Sequence, residues 1–214
     1  MKLVSLNVGK PQVVLWNGKS VLTGIFKEPV TGRIPLRQFN FEGDAQADLS
    51  VHGGATKAVY AYPSEHYAYW RREYPDMDLP LGMFCENLTV EGLDEDSLHI
   101  GDRLRIGTAE LIVTEPRMPC FKLGVRFGRM DIVKRFLDSR KSGFYLAVER
   151  EGEVGAGDLI ERIETDARRV TVKDIVRVYV QDKNDVETMR RAVQIDVLPQ
   201  QWQQEFRERL AEMG

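Results

Sequence analysis

Cysteine is scarce in this chain: among 214 residues only Cys85 and Cys120 carry a thiol. Two cysteines cannot build a disulfide framework, and so few fit a reducing compartment. Long apolar runs are missing too. No stretch of about 18 apolar residues occurs, and Met1-Lys2-Leu3-Val4-Ser5-Leu6-Asn7-Val8-Gly9 has neither a long apolar segment nor a cleavage site. The expectation is a soluble, cytoplasmic protein with no membrane attachment. Charge of one sign is not in excess either. Against 33 acidic residues stand 30 basic ones, a net charge of -3, so no overall basic footprint points to nucleic acid. The chain has no iron-sulfur cysteine set and no dinucleotide fingerprint. Gly152-Glu153-Val154-Gly155-Ala156-Gly157-Asp158 lacks the required glycine spacing and reads as a turn before a strand.

What is present argues for one main domain with a small appendage. Up to residue 163, short apolar runs are broken by Gly, Pro and Asp, the pattern of many short strands. Lys2 to Val8, Gln12 to Leu15, Ala58 to Ala61, Leu88 to Val90, Arg103 to Ile106, Glu110 to Thr114 and Gly143 to Val148 read as strands. Two helices interrupt them: one from Ser64, a capping serine after Pro63, to Glu73, and one from Met130 to Leu137.

Beyond Ile163 glycine is absent from Glu164 until Gly214, and charge is dense. Thr171-Val172-Lys173-Asp174 is a capping-box-like start to a helix through Tyr179, and Asp185 caps a second through about Val193. Leu198-Pro199 opens a third, with Trp202, Phe206 and Leu210 on one face. The expected fold is mainly β with flanking helices (α+β): a β-rich barrel over 1–163 and a three-helix extension over 164–214, too small to be stable undocked.

The segment Pro116-Arg117-Met118-Pro119-Cys120 carries the sharpest chemistry. It sets a thiol between rigid prolines at a strand end, with Arg117 and Lys122 near enough to favour a thiolate, a soft nucleophile and soft metal ligand. Taken alone, the pentapeptide also accommodates a small buried packing cysteine. Asp44-Ala45-Gln46-Ala47-Asp48 leads into Val51-His52-Gly53-Gly54-Ala55-Thr56-Lys57, where two glycines allow close backbone approach to a bound group and Lys57 can face an anion. A plain Gly-Gly turn between strands explains the same residues. Phe84-Cys85-Glu86-Asn87 places an acid and an amide before a strand, or simply makes a satisfied turn.

Together with Lys27-Glu28-Pro29-Val30, Gly43-Asp44 and Ile100-Gly101-Asp102, these segments resemble, in order, the motifs of the MOSC family, the domain related to the C-terminal part of molybdenum cofactor sulfurases. The resemblance covers about residues 1 to 163. Val172 to Tyr179 and the residues that follow are similar to the three-helix extension of the family's YiiM-like bacterial branch.

The resemblance implies a partly open β-barrel that binds the molybdenum cofactor in its molybdopterin form, with Cys120 as the thiolate ligand of the metal. Lys27, Lys57, Asn87 and Arg117 are the candidates for holding the anionic pterin, and His52, Asp48 and Glu86 for orienting ligands or carrying protons. His66 and His99 lie outside the motifs and are expected at the surface. The implied activity is reduction of small N-hydroxylated compounds such as hydroxylamino-purines or amidoximes, a detoxifying role, with electrons from a separate donor protein. The alternatives are a cofactor carrier without turnover and a metal-free, sulfur-carrying thiol protein. No particular oligomeric state is implied. One departure stands out: the family usually has glycine where this chain has Cys85. The thiol there either replaces glycine as a small side chain or places a second sulfur able to pair reversibly with Cys120.

Overall fold

The computed structural model describes residues 1–47 and 53–213. Its strands are β1 (Lys2–Val8), β2 (Gln12–Trp16), β3 (Lys19–Thr23), β4 (Glu28–Pro29), β5 (Arg33–Leu36), β6 (Val59–Pro63), β7 (Leu88–Glu91), β8 (Arg103–Ile106), β9 (Ala109–Pro116), β10 (Phe144–Arg150), β11 (Gly152–Gly155) and β12 (Ile160–Glu164). The helices are α1 (Glu65–Glu73), α2 (Phe121–Phe127), α3 (Asp131–Ser139), α4 (Val172–Val180), α5 (Val186–Ala192) and α6 (Gln200–Met213). The fold is mixed α+β.

Eight strands form one sheet in the order β12-β8-β9-β10-β6-β7-β1-β4. Every pairing is antiparallel except β6 with β7, and α1 supplies the crossover that a parallel pair requires. Among the described residues the sheet does not close into a barrel. No ladder joins its edges, although one bridge between Lys2 and Leu159 and the bond from Leu3 N–H to Asp158 C=O bring β1 against the start of β12. Two ribbons, β2-β3 and β5-β11, stand outside the main sheet. Gly152–Gly155 is therefore a strand, not a turn, because it pairs residue for residue with β5.

Strand β6 shows how the sheet separates two cores. Its five residues are all buried, and side chains alternate: Val59 and Ala61 join the core shared with β1, β7 and β9, while Tyr60 and Tyr62 join an aromatic core under α1, α2 and α3. In the aromatic core Tyr62 stacks on Phe84 with centroids 4.6 Å apart, and Trp70 lies against Phe136. The other core runs without a break from the sheet into α4, α5 and α6 through Ile175, Met189, Trp202 and Phe206.

Local sequence accounts for the helix ends. Thr171 and Asp174 form a reciprocal capping box, and Asp185 accepts the Thr188 N–H. Ser64 is different. Its backbone is already helical and its hydroxyl is directed to Glu65 rather than to a helix N–H, so the serine cap expected there does not form. Of the histidines expected at the surface, one is buried and the other half-buried. His66 is buried against Glu95, with Nε2 2.8 Å from Oε2, and His99 Nδ1 lies 3.2 Å from Asp102 Oδ2.

Candidate active site

Cys120 sits just beyond the end of β9. The strand continues through Pro116, which faces Phe144 of β10, whereas the sequence pattern stops it at Thr114. Proline is tolerated because β8, the neighbour on the other side, pairs only as far as Ile112. A bulge displaces Thr114 from the ladder, since Val113 and Glu115 face consecutive residues of β10. Residues 117–120 then run without regular structure, and Cys120, in an extended conformation, caps α2. The sequence reading places no element over this helix, and its internal Gly124 gives little helical signal.

One pocket gathers Lys27, Lys57, Asn87, Arg117 and Cys120, all five cofactor-binding candidates, together with Asp44, Tyr60, Cys85, Lys122 and Tyr145. The sequence candidates thus converge, but they are not equivalent. Asp44, itself buried, accepts from Lys27 Nζ at 2.5 Å, from Gly9 N–H at 2.8 Å and from Asn87 Nδ2 at 2.9 Å. Asn87 also donates to the Asn7 carbonyl at 3.3 Å and accepts the Tyr60 N–H at 3.2 Å. The charge of Lys27 is therefore neutralised and the amide of Asn87 is committed to the scaffold. Both shape the wall. Asp44 is the residue that sequence reasoning quoted in a motif without assigning it to the site.

Arg117 is the contrasting case. It is buried, donates to the Phe84 carbonyl at 3.0 Å, and places its guanidinium 4.8 Å from the Tyr60 ring centroid and 5.2 Å from that of Phe136. Among the described residues it forms no ion pair with a carboxylate. A buried cation in that state suits an anionic ligand. Lys57 is the last residue of a short 3₁₀ turn (Ala55–Lys57) whose preceding Gly54 has φ 95° with open space where a Cβ would stand. That positive φ is a conformation that glycine adopts freely.

Cys85 has φ 70°, the left-handed region that glycine occupies freely. Burial pushes its thiol up to about 12, with Arg117 opposing, so it stays protonated near neutrality. Cys85 and Cys120 are not joined in a disulfide.

Glu86 is fully buried behind the pocket wall. Its Oε1 accepts from Tyr67 Oη at 2.5 Å, Thr89 Oγ1 at 2.8 Å and Gly82 N–H at 2.9 Å, and it does not line the pocket. The structure brings it to the turn that holds Cys85 and Asn87, not to the cavity. Asp48 and His52, the other proton-handling candidates, lie outside the described residues.

A second cleft meets the first at Cys120, Lys57, Met118 and Tyr145, and is closed on its far side by Pro199, Gln200 and Gln201 at the start of α6. Glu115 lines it. This carboxylate is 2% exposed, accepts from Trp202 Nε1 through Oε2 at 2.9 Å, and has Lys57 Nζ 3.8 Å from Oε1. Oε1 has no hydrogen-bond partner among the described residues. Burial pushes its pKa up, with Lys57 and the Trp202 bond opposing. Sequence reasoning missed Glu115, which shows there only as a polar residue before Pro116.

The MOSC domain model matches residues 48–161, and that of the YiiM-like, 3-alpha helix domain matches residues 170–212. The uncharacterized protein YflK of Bacillus subtilis (strain 168) is 38% identical over 204 residues, covering 95% of this chain and 92% of YflK. A protein named reductase in Gibberella moniliformis (strain M3125 / FGSC 7600) is 33% identical over 164 residues, which span 75% of this chain and 29% of that protein. The crystal structure of YiiM from Geobacillus stearothermophilus superposes with a TM-score of 0.82 at 31% identity, covering 98% of each chain. With Lys27, Lys57, Asn87, Arg117 and Cys120 of its motifs at one pocket and both family models matched in order, this chain belongs to the MOSC domain family and carries the YiiM-like three-helix domain after it.

Proposed function

We propose that this protein is a molybdenum-cofactor-dependent reductase of N-hydroxylated compounds, with Cys120 as the protein ligand of the metal and a separate protein as electron donor. The observation that carries this reading is the thiol of Cys120 in a pocket shared with Arg117, a buried cation with no carboxylate partner among the described residues. Among the described residues no group of three or more His, Cys, Asp and Glu side chains could hold a metal ion. Such a pocket fits a metal that arrives within its own anionic organic ligand and needs a single soft donor from the protein. The reductase-named relative supports the oxidoreductase class.

In this reading Arg117 and Lys122 hold the anionic pterin by charge-assisted hydrogen bonds, and Lys57, whose Nζ lies 3.8 Å from Glu115 Oε1, borders it. Asp44 keeps Lys27 and Asn87 in place, and Glu86 fixes the turn behind them. Asp48 and His52 are proposed to orient ligands or carry protons. The cofactor, when bound, supplies the two-electron transfer. The overall change is R–NH–OH + 2 e⁻ + 2 H⁺ → R–NH₂ + H₂O.

The test is purification from a host that synthesises the cofactor, metal analysis, and an assay for amine formation from an amidoxime with a chemically reduced viologen. Molybdenum bound near one per chain together with turnover supports the reductase. Bound molybdenum without turnover supports a carrier. Sulfur transfer without metal supports the thiol-protein reading.

A further inference from the structure

We propose that the cleft between residues 115–120 and the start of α6 is the substrate site, and that Glu115, oriented by Trp202, hydrogen-bonds the N-hydroxyl end of the substrate and gives it a proton. This rests on the reductase reading above.

Two cavities meet at Cys120, and their charge separates their tasks. The pocket with Arg117 and Lys122 favours anionic phosphate and dithiolene groups. The second cleft pairs its cation, Lys57, with the carboxyl of Glu115, Nζ lying 3.8 Å from Oε1, and so offers an anion less. An amidoxime or a hydroxylamino base is uncharged or weakly cationic and carries N–H and O–H groups. Those donors match an oxygen that lacks them: Glu115 Oε1 is buried without a hydrogen-bond partner among the described residues. A buried carboxyl oxygen with an ammonium 3.8 Å away but no hydrogen bond is under-satisfied, and a ligand that donates to it recovers that cost.

The other oxygen is fixed. Trp202 Nε1 donates to Oε2 at 2.9 Å, and Trp202 is itself buried, so the carboxyl is held between the sheet and α6. Lys57 and Tyr145 border the same cleft. The three-helix domain thereby contributes to the site by holding Glu115, with Trp202 as a positioning residue.

In the reaction the N–O bond would break, the bound cofactor would supply two electrons from the external donor, and the departing oxygen would leave as water. Two protons are taken up. Glu115 delivers one to that oxygen and is reprotonated from solvent, which also supplies the other. Its raised pKa favours the acid form that this step requires.

The test compares wild type, Glu115→Gln and Trp202→Phe as full-length protein, using benzamidoxime as probe. Calorimetric binding should weaken about 10-fold in Glu115→Gln and less in Trp202→Phe. In loaded enzyme, kcat should fall about 100-fold in Glu115→Gln, with molybdenum content close to wild type in both variants and a melting temperature no lower than wild type in Glu115→Gln. A purely structural role would instead lower melting temperature and metal content together, leaving kcat per bound metal unchanged, and would overturn the assignment. Binding decides even without turnover. If wild type retains molybdenum but reduces no N-hydroxylated compound, the reductase reading fails. If wild type does not bind benzamidoxime, or binds it no better than Glu115→Gln does, the assignment of the cleft to Glu115 fails.

Discussion

Lys27 Nζ lies 2.5 Å from Asp44 Oδ1, with the two side chains 9% and 1% exposed. The pair turns a lysine that could have met an anion into part of the scaffold, because its charge is cancelled inside the wall. Removing one member of a buried pair leaves the other uncompensated, at a cost of about 3 kcal/mol. Asp44→Asn should lose stability of that order in urea unfolding, and Lys27→Met added to it should restore part of the loss. Equal stability of wild type and Asp44→Asn would contradict the pairing.

Cys85 supplies a second prediction. A non-glycine residue in the left-handed region costs about 1 kcal/mol, and Cys85 sits at φ 70°. Cys85→Gly should match or exceed wild-type stability, whereas Cys85→Ala, which keeps the Cβ and loses the buried sulfur, should be less stable than either. A fall in stability for Cys85→Gly below wild type would mean that packing of the thiol outweighs the backbone term.

Glu115 predicts a pH dependence with a definite sign. Its folded-state pKa is raised above the ordinary value of 4.5. The native state therefore binds more protons than the unfolded state above that pH, and stability falls as pH rises from about 4.5 through the folded-state value. Glu115→Gln lacks this titration. Its stability relative to wild type should grow as pH rises through that window and level off at lower pH. Denaturant unfolding at a series of pH values measures the difference, and a constant gap would place the raised pKa elsewhere.

Much of this architecture could be read from local pattern. Lys2–Val8 coincides with β1, and the Thr171–Asp174 capping box and Asp185 cap sit where the sequence puts them. Of the strands not read from the pattern, β3, β5 and β11 belong to two-stranded ribbons outside the main sheet, and β4 is a two-residue strand at that sheet's edge. Ser64 shows that a capping residue type does not fix a cap when the backbone at that position is already helical.

At the site, motif order was enough to collect Lys27, Lys57, Asn87, Arg117 and Cys120, which do line one cavity. Their division of labour was not legible, because it depends on which cation has a carboxylate beside it. Arg117 and Lys27 look alike in sequence, and only the position of Asp44 separates them. The contact of Glu115 with Trp202 joins residues 87 positions apart on different elements, and no local pattern encodes it.

The central claim is that Cys120 is the metal ligand, and molybdenum content of wild type and Cys120→Ser, purified side by side from a cofactor-competent host, tests it most directly. Serine nearly matches the size of cysteine but is a poor donor to a soft metal site. The expected result is near one molybdenum per chain in wild type and at least a 10-fold loss in Cys120→Ser, with an unchanged melting curve for the metal-free proteins. Equal molybdenum in the two would contradict Cys120 as the ligand.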